Sequence, residues 1–261
     1  MKPPTLVSKW SPTASALVAR LLFAVAVIWI WIVGVPANLP STIIPPFEQL
    51  SAFASAWVAS TFWSDVASTL FRVIIGLGLA TFAGVALGVV TTRRGILPRL
   101  LVDLLNFLRP ITPVALAPLF ILWFGLNEGM RIGLVAWGSS FPIWIATMTG
   151  IREIKSVHLR VAQMLSYSPP ERLWHLYLPS ALPFVMSGVR TSLGISLILS
   201  YVSEMTGADS GVGYRLYIGY SNFQIADMLV CLATFGLLGW ILDRVIAITS
   251  SRLLGWSRHG G

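Results

Sequence analysis

The residues of this chain that could do chemistry lie inside long apolar runs. Ser192, Ser196, Ser200 and Glu204 recur at every fourth position, which places them on one face of a helix. A face of this kind either ties its helix to neighbours by hydrogen bonds or lines a passage for a polar solute, and the sequence leaves both open. Ser139, Ser140, Thr147 and Thr149 in the preceding run, and Thr112 in the run before that, are of the same type. Around Thr112 the chain reads Arg109-Pro110-Ile111-Thr112-Pro113-Val114-Ala115-Leu116-Ala117-Pro118, and its prolines remove backbone donors that a regular helix needs. Broken backbone at membrane depth persists where protein or a water-filled cavity satisfies it. The segment therefore reads as a wall of a polar pathway, with a structural kink as the alternative. The candidate pathway residues are Arg109, Thr112, Pro113, Ser139, Ser140, Ser192, Ser196, Ser200 and Glu204. Arg72 and Arg190 could attract an anion, but their places toward the ends of runs predict that they reach out to lipid headgroups instead.

Catalytic constellations do not emerge. The chain holds no G-x-x-x-x-G-K-[ST] phosphate loop and no H-E-x-x-H zinc pair, and His158, His175 and His259 all fall outside the apolar runs. Its single cysteine, Cys231, sits within an apolar run, which excludes an intrachain disulfide and a cysteine metal cluster. Glu204 and Asp227 are isolated acids rather than members of a proton relay. The chain is thus expected to be no enzyme, to carry no cofactor of its own and to hydrolyse no ATP by itself.

The elements that position these residues follow from composition. Of 261 residues, 56% are hydrophobic and 11% charged, with a mean hydropathy of +0.78. Soluble domains carry about 25% charged residues, so this is a membrane protein. Apolar runs at 16–33, 66–90, 100–123, 132–149, 182–202 and 226–248 each approach the length a bilayer demands, which predicts six transmembrane helices. Alternating the loops puts Lys2, Lys9, Arg20, Arg93, Arg94, Arg99, Arg152, Lys155, Arg160, Arg172, Arg252 and Arg258 on one side, against Arg131 and Arg215 on the other. The positive-inside rule makes the first side cytoplasmic, with both termini, so the net charge of +8 reports topology and calls for no nucleic acid.

This gives a cytoplasmic tail over residues 1–15, a first span over 16–33, an external segment over 34–65 and a five-helix core over 66–250 with a cytoplasmic loop at 151–181. Residues 251–261 form a second cytoplasmic tail. The first run can also be read as a secretory signal, since Lys2 and Lys9 precede it and Val35-Pro36-Ala37 resembles a cleavage site. In the external segment Phe47, Leu50, Phe53, Ala54, Trp57 and Val58 recur at helical spacing, as in a helix lying on the membrane surface or over the mouth of the bundle. In the second run Gly76, Ala80, Gly84 and Gly88 clear one face for close helix packing.

The cytoplasmic loop holds the most specific pattern. From Arg160 it reads Arg-Val-Ala-Gln-Met-Leu-Ser-Tyr-Ser-Pro-Pro-Glu-Arg-Leu-Trp-His-Leu-Tyr-Leu-Pro to Pro179. This resembles the E-A-A-x-x-x-G-x(9)-I-x-L-P loop of bacterial ABC importer permeases, with Arg160, Val161 and Ala162 at the E-A-A positions, Ser166 at the glycine, Leu176 at the isoleucine, then Leu178 and Pro179. Ser68-Thr69-Leu70-Phe71-Arg72, the proline-rich stretch through Trp123-Phe124-Gly125, Ser203-Glu204-Met205 and Gly211-Val212-Gly213 look like motifs of the nitrate/sulfonate/taurine branch. The resemblance implies an all-α permease of type I importer (MetI-like) fold in a bacterial inner membrane, transporting a small solute such as a nitrate, sulfonate, taurine or bicarbonate anion. It also implies two ATPase subunits that bind ATP and Mg, a second permease copy, and a periplasmic or lipid-anchored binding protein. Arg160, Val161, Ala162, Met164, Leu165, Ser166, Tyr167, Leu173, Trp174, Leu176, Leu178 and Pro179 would form the ATPase-coupling loop. Arg160 stands where an acid is usual and Ser166 where glycine is, which implies an altered ion pair to the ATPase and an altered turn. Aromatic acids and pyrimidine-type solutes are the alternative cargo in this family. A secondary transporter is the alternative from another class, and it would need an internal inverted repeat that the sequence does not display.

Overall fold

A computed structural model of the protein describes residues 60–253, together with the isolated positions Leu22, Val25, Ala26 and Ser55. The first predicted span, the surface helix at 47–58 and both tails lie outside the described residues. The described part is built of helices: α1 (Ser60–Thr92), α2 (Ile96–Leu108), a 3-10 turn (Pro113–Leu116) leading into α3 (Ala117–Phe124), α4 (Glu128–Arg152), α5 (Ser156–Met164), the short α6 (Pro169–Arg172), a π-turn (Leu173–Tyr177) leading into α7 (Leu178–Met205), α8 (Val212–Ser221) and α9 (Ile225–Leu253).

Four helices are long and apolar enough to cross a bilayer: Thr61–Thr92, Glu128–Arg152, Pro169–Met205 and Ile225–Leu253. The run at 100–123 does not form the single span expected of it. Its two halves, Ile96–Leu108 and Pro113–Phe124, meet at 91°, a broken crossing or a re-entrant loop. The cause is local, because Pro110 and Pro113 cannot donate and Thr112, which precedes a proline, is extended at φ −61°, ψ 119°. Among the described residues the crossings are therefore four, or five with the bent pair counted as one, and the count of six is not reached there.

Helix α4 forms the centre because its sequence both caps it and clears two faces. Asn127 Oδ1 accepts from the Met130 N–H, Glu128 stands in the first turn and Arg152 in the last, each matched to the helix dipole. One face meets α1, where the Cβ of any residue replacing Gly76, Gly84 or Gly88 would fall within 3 Å of Val135, Ile143 or Thr147 respectively. Rows spaced by four on both helices thus interdigitate, and Trp144 Nε1–H donates to Thr91 Oγ1 at 2.9 Å across the same contact. The opposite face meets α7, with Gly138 under Leu199 and Gly188 under Ala146. Helices α8 and α9 close one end over Phe62, Val66, Val230 and Leu238.

The packing gives a prediction with an internal control. Gly84→Val should lower the melting temperature of the detergent-solubilised protein, at a cost of about 1–3 kcal/mol for overpacking. Gly78→Val on the exposed side of the same helix, where nothing lies within 4 Å of the added carbon, should leave it nearly unchanged.

Candidate functional site

Two regions carry the functional side chains, one at each end of the bundle. At the end where α1 begins and α7 finishes, polar groups from four elements converge in a network of paired charges. Thr69 and Arg72 lie one turn apart on α1, Glu204 near the end of α7, Glu128 and Arg131 on the first turn of α4, and Gly211 to Gly213 at the start of α8. Arg72, 2% exposed, places NH1 3.0 Å from Glu204 Oε1, which is wholly buried. Its Nε and NH2 grip Glu128 at 2.8 and 2.7 Å, and NH1 also donates to the Ser210 carbonyl at 2.7 Å. Glu204 further accepts from Thr69 Oγ1 at 2.9 Å, Ser200 Oγ at 3.1 Å and the Gly213 N–H at 2.7 Å. Thr69 in turn accepts from the Val212 N–H, and Asp65 accepts from the Gly211 N–H and from Arg215 Nε. Arg131 completes the set by bridging Glu128 and the Gly207 carbonyl.

A buried charge is tolerated when it is paired and its remaining lone pairs are satisfied, and here both conditions hold. Gly211 is required at its place: it has φ +125°, and a Cβ there would lie 2.5 Å from Glu204 Oε2 and 2.7 Å from Arg72 NH1. The network fixes α1, α4, α7 and α8 to one another.

This arrangement corrects several expectations. Arg72 does not reach to headgroups but turns inward to two carboxylates. Glu204 and Ser200 lie in the ion network, and Ser192 donates to the Ser139 carbonyl at 2.7 Å across the α4–α7 contact. Ser196 returns its hydroxyl to the Leu193 carbonyl of its own helix, and Ser140 does the same to Trp137. Ser139, Ser192, Ser196, Ser200 and Glu204 have no exposure, so within this chain the four-residue stripe is a packing face and lines no open surface. Among the expected pathway residues, Arg109 and Thr112 are exposed at the break between α2 and the 3-10 turn, while Pro113 leans on Gly138.

At the opposite end, residues 156–177 project as a helix, a turn and a second helical segment. The turn is set by backbone bonds: the Tyr167 N–H donates to the Ala162 carbonyl at 3.1 Å and the Ser166 N–H to the Gln163 carbonyl at 3.0 Å. These are the paired 6→1 and 5→2 bonds that end a helix when the next residue is left-handed. Ser166 is that residue, at φ +53°. The position that glycine occupies in the resembled loop thus has the conformation that favours glycine, and the serine occupies it with a Cβ penalty. Ser166→Gly should accordingly stabilise the element by roughly 1 kcal/mol and Ser166→Val should weaken it, read as slower and faster proteolytic nicking within 156–177.

Ser168 then caps the second segment. It is extended, as a residue before proline must be, and its N–H and Oγ–H both donate to Glu171 Oε2 at 2.7 Å. These bonds hold the exposed Glu171 carboxyl below the usual carboxylate range. Arg172 Nε donates to the Tyr167 carbonyl, locking the two segments together.

The outer surface of the element is apolar: Met164 is 82% exposed, Trp174 67%, Leu165 57% and Val161 47%. Tyr167, Leu173, Leu176, Leu178 and Pro179 are half-buried. Ala162 departs from the expected docking face, for it is 4% exposed and points inward. It borders a cavity of about 670 Å³ between the element and the ends of α1 and α4, which Arg93, Arg94, Arg152 and Arg172 also line. Arg160 is exposed and reaches only Ser156. Among the described residues, no group of His, Cys, Asp and Glu could hold a metal ion.

Sequence reading noted Ser-Thr-Leu-Phe-Arg, Ser-Glu-Met and Gly-Val-Gly as separate motifs but missed that they meet. It also missed Glu128, whose place one residue after a helix-capping Asn127 was the available signal.

The family described as "Binding-protein-dependent transport system inner membrane component" matches residues 76–255. The chain is 27% identical to the taurine transport system permease of Escherichia coli K12, covering 97% of this chain and 94% of that protein. It is 30% identical to the bicarbonate transport system permease of Synechococcus elongatus, covering 71% and 67%. Among solved structures, an inward-facing methionine ABC transporter aligns with TM-score 0.62 at 21% identity, covering 74% of this chain and 94% of its own. A bacterial alginate ABC transporter in complex with its periplasmic protein aligns with TM-score 0.62 at 13% identity, covering 91% and 93%. At these identities the structural likeness establishes the fold alone.

Proposed function

This chain belongs to the family of binding-protein-dependent transport inner membrane components, the permeases of ABC importers, and from that premise we propose that it conducts a small oxoanion of the sulfonate, taurine or bicarbonate kind. Two separate ATPase subunits dock on residues 156–177, bind ATP and Mg themselves, and drive the bundle between outward- and inward-open states. A periplasmic or lipid-anchored binding protein delivers the solute, and a second copy of the permease completes the passage. The chain itself catalyses no reaction. The loop 151–181 and both termini face the cytoplasm of a bacterial cell.

The observation that carries this reading is the apolar surface of Val161, Met164, Leu165 and Trp174, displayed on an element whose cap, turn and backbone bonds are all made within itself. An exposed apolar patch of this kind marks an interaction surface. Because the element is short and internally bonded, and α7 runs on directly from the π-turn, force applied by an ATPase passes into the spanning helix as rigid-body motion. At the other end, the ion network makes α1, α4, α7 and α8 move together. The relatives' cargoes favour the anion.

The test is ATPase stimulation in proteoliposomes that contain the permease, its co-purified ATPase and the binding protein. Taurine, an alkanesulfonate or bicarbonate should raise hydrolysis several-fold over the unloaded state. Stimulation by methionine with no response to these anions would overturn the substrate class.

A further inference from the structure

One face of α7 packs against α4, and the opposite face of the same helix is open among the described residues. Ser187, Arg190, Thr191 and Gly194 recur along it at helical spacing, all exposed, and a Cβ added at Gly194 would find nothing within 4 Å. Arg190 is bound to Asp243 of α9 through two parallel bonds, Nε to Oδ1 at 2.5 Å and NH2 to Oδ2 at 2.7 Å. The pair remains open to its surroundings, with the Arg190 side chain 57% exposed and that of Asp243 33%.

Depth makes this exposure informative. Arg190 lies twelve residues along α7 from Leu178, and Asp243 ten residues from the end of α9 at Leu253. At a rise of 1.5 Å per residue these are about 18 and 15 Å from the helix ends; counted from the cytoplasmic ends of the apolar runs at 182–202 and 226–248 they are about 12 and 8 Å, inside a hydrocarbon layer of about 30 Å though short of its middle. From there a side chain committed to a helix neighbour does not reach the headgroups, so the expectation that Arg190 snorkels does not hold. Charged groups at that depth face protein or water rather than lipid. Two of the five guanidinium N–H groups are used on Asp243, and the remaining three find no acceptor in the described chain.

We infer that the open face of α7 at Ser187, Arg190, Thr191 and Gly194 lines the translocation pathway, and that Arg190, oriented by Asp243, is the contact for the passing oxoanion. The planar fork held edge-on by Asp243 presents its free N–H groups to two oxygens of a sulfonate or bicarbonate. Asp243 reduces the net charge of the site, so the anion is held weakly enough to leave. Thr191 Oγ1–H donates to the Ser187 carbonyl at 3.1 Å, which leaves the Ser187 hydroxyl as the second donor on this face, and Gly194 keeps the passage wide. The inference rests on the permease reading and gives it a cargo contact.

The experiment uses cysteine accessibility in membrane vesicles containing the full chain, with Cys231→Ser as background. Thr191→Cys should react with the anionic reagent 2-sulfonatoethyl methanethiosulfonate at least tenfold faster than Phe82→Cys, an exposed apolar position at similar depth on α1. It should also prefer that reagent over the trimethylammonium analogue. Neutralising both partners with Arg190→Gln and Asp243→Asn leaves no unpaired charge and should bring the two rates to parity. An inert Thr191→Cys, or an anion preference that survives the double substitution, would overturn the proposal. The readout needs neither ATPase nor binding protein. A reactive, anion-preferring Thr191→Cys beside a failed sulfonate stimulation therefore supports this site while the cargo assignment falls.

Discussion

Arg72→Ala should unfold or severely destabilise the protein, costing about 3–5 kcal/mol, because it leaves the wholly buried Glu204 carboxylate without its counter-charge. Thr69, Ser200 and the Gly213 N–H still donate to that carboxylate, so the loss is the Coulombic partner rather than every hydrogen bond. The Ser210 carbonyl and Glu128 lose donors as well. The measurement is the melting temperature of the detergent-solubilised chain, with two companions. Glu204→Gln keeps the shape and one accepting oxygen while turning an NH2 toward a donor at the other, and should still cost less than Arg72→Ala because Arg72 retains Glu128. The pair Arg72→Met with Glu204→Leu removes both charges and should recover much of the loss, since apolar replacement of a buried pair is often near neutral. A double variant no better than Arg72→Ala would show that the ion pair is not what holds this end of the bundle.

The second large effect is expected on the coupling element, where Met164→Asp and Trp174→Asp should each abolish ATP-driven uptake with little change in folding. Exposed side chains contribute within about 0.5 kcal/mol to stability, whereas a tryptophan at the centre of an interface contributes 2 kcal/mol or more to binding. A carboxylate placed into an apolar socket adds desolvation to that loss, so docking should weaken by well over tenfold. Ala162→Trp should instead disturb the element itself, because Ala162 is buried between the element and the ends of α1 and α4.

The extent to which the sequence disclosed these features depended on the kind of information each requires. The turn at Ser166 was legible because spacing to Leu178 and Pro179 fixed its register, and the backbone there is left-handed. The break near Thr112 was legible because proline's missing donor is a local property; its 91° bend was not, since the angle depends on what α3 packs against. The fourfold repeat of Ser192, Ser196, Ser200 and Glu204 disclosed a face but not which neighbour meets it. Small hydroxyls serve a helix contact and a passage equally well, and burial of the stripe between α7 and its neighbours comes from tertiary packing that the repeat does not encode. Arg72 and Glu204 are separated by more than a hundred residues, so their pairing is tertiary, and Arg72 alone looks like any arginine near a span end. The same holds for Arg190, whose partner Asp243 lies on another helix.

Site-specific photocross-linking shows whether the apolar surface of residues 156–177 touches an ATPase. A benzophenone amino acid at Met164, in the assembled complex in native membranes, should yield an adduct with a protein that carries a phosphate loop, while the same group at Phe82 should not. Failure to capture an ATPase from Met164 and from Trp174 under conditions that preserve ATP-driven uptake would show that this surface does not dock an ATPase.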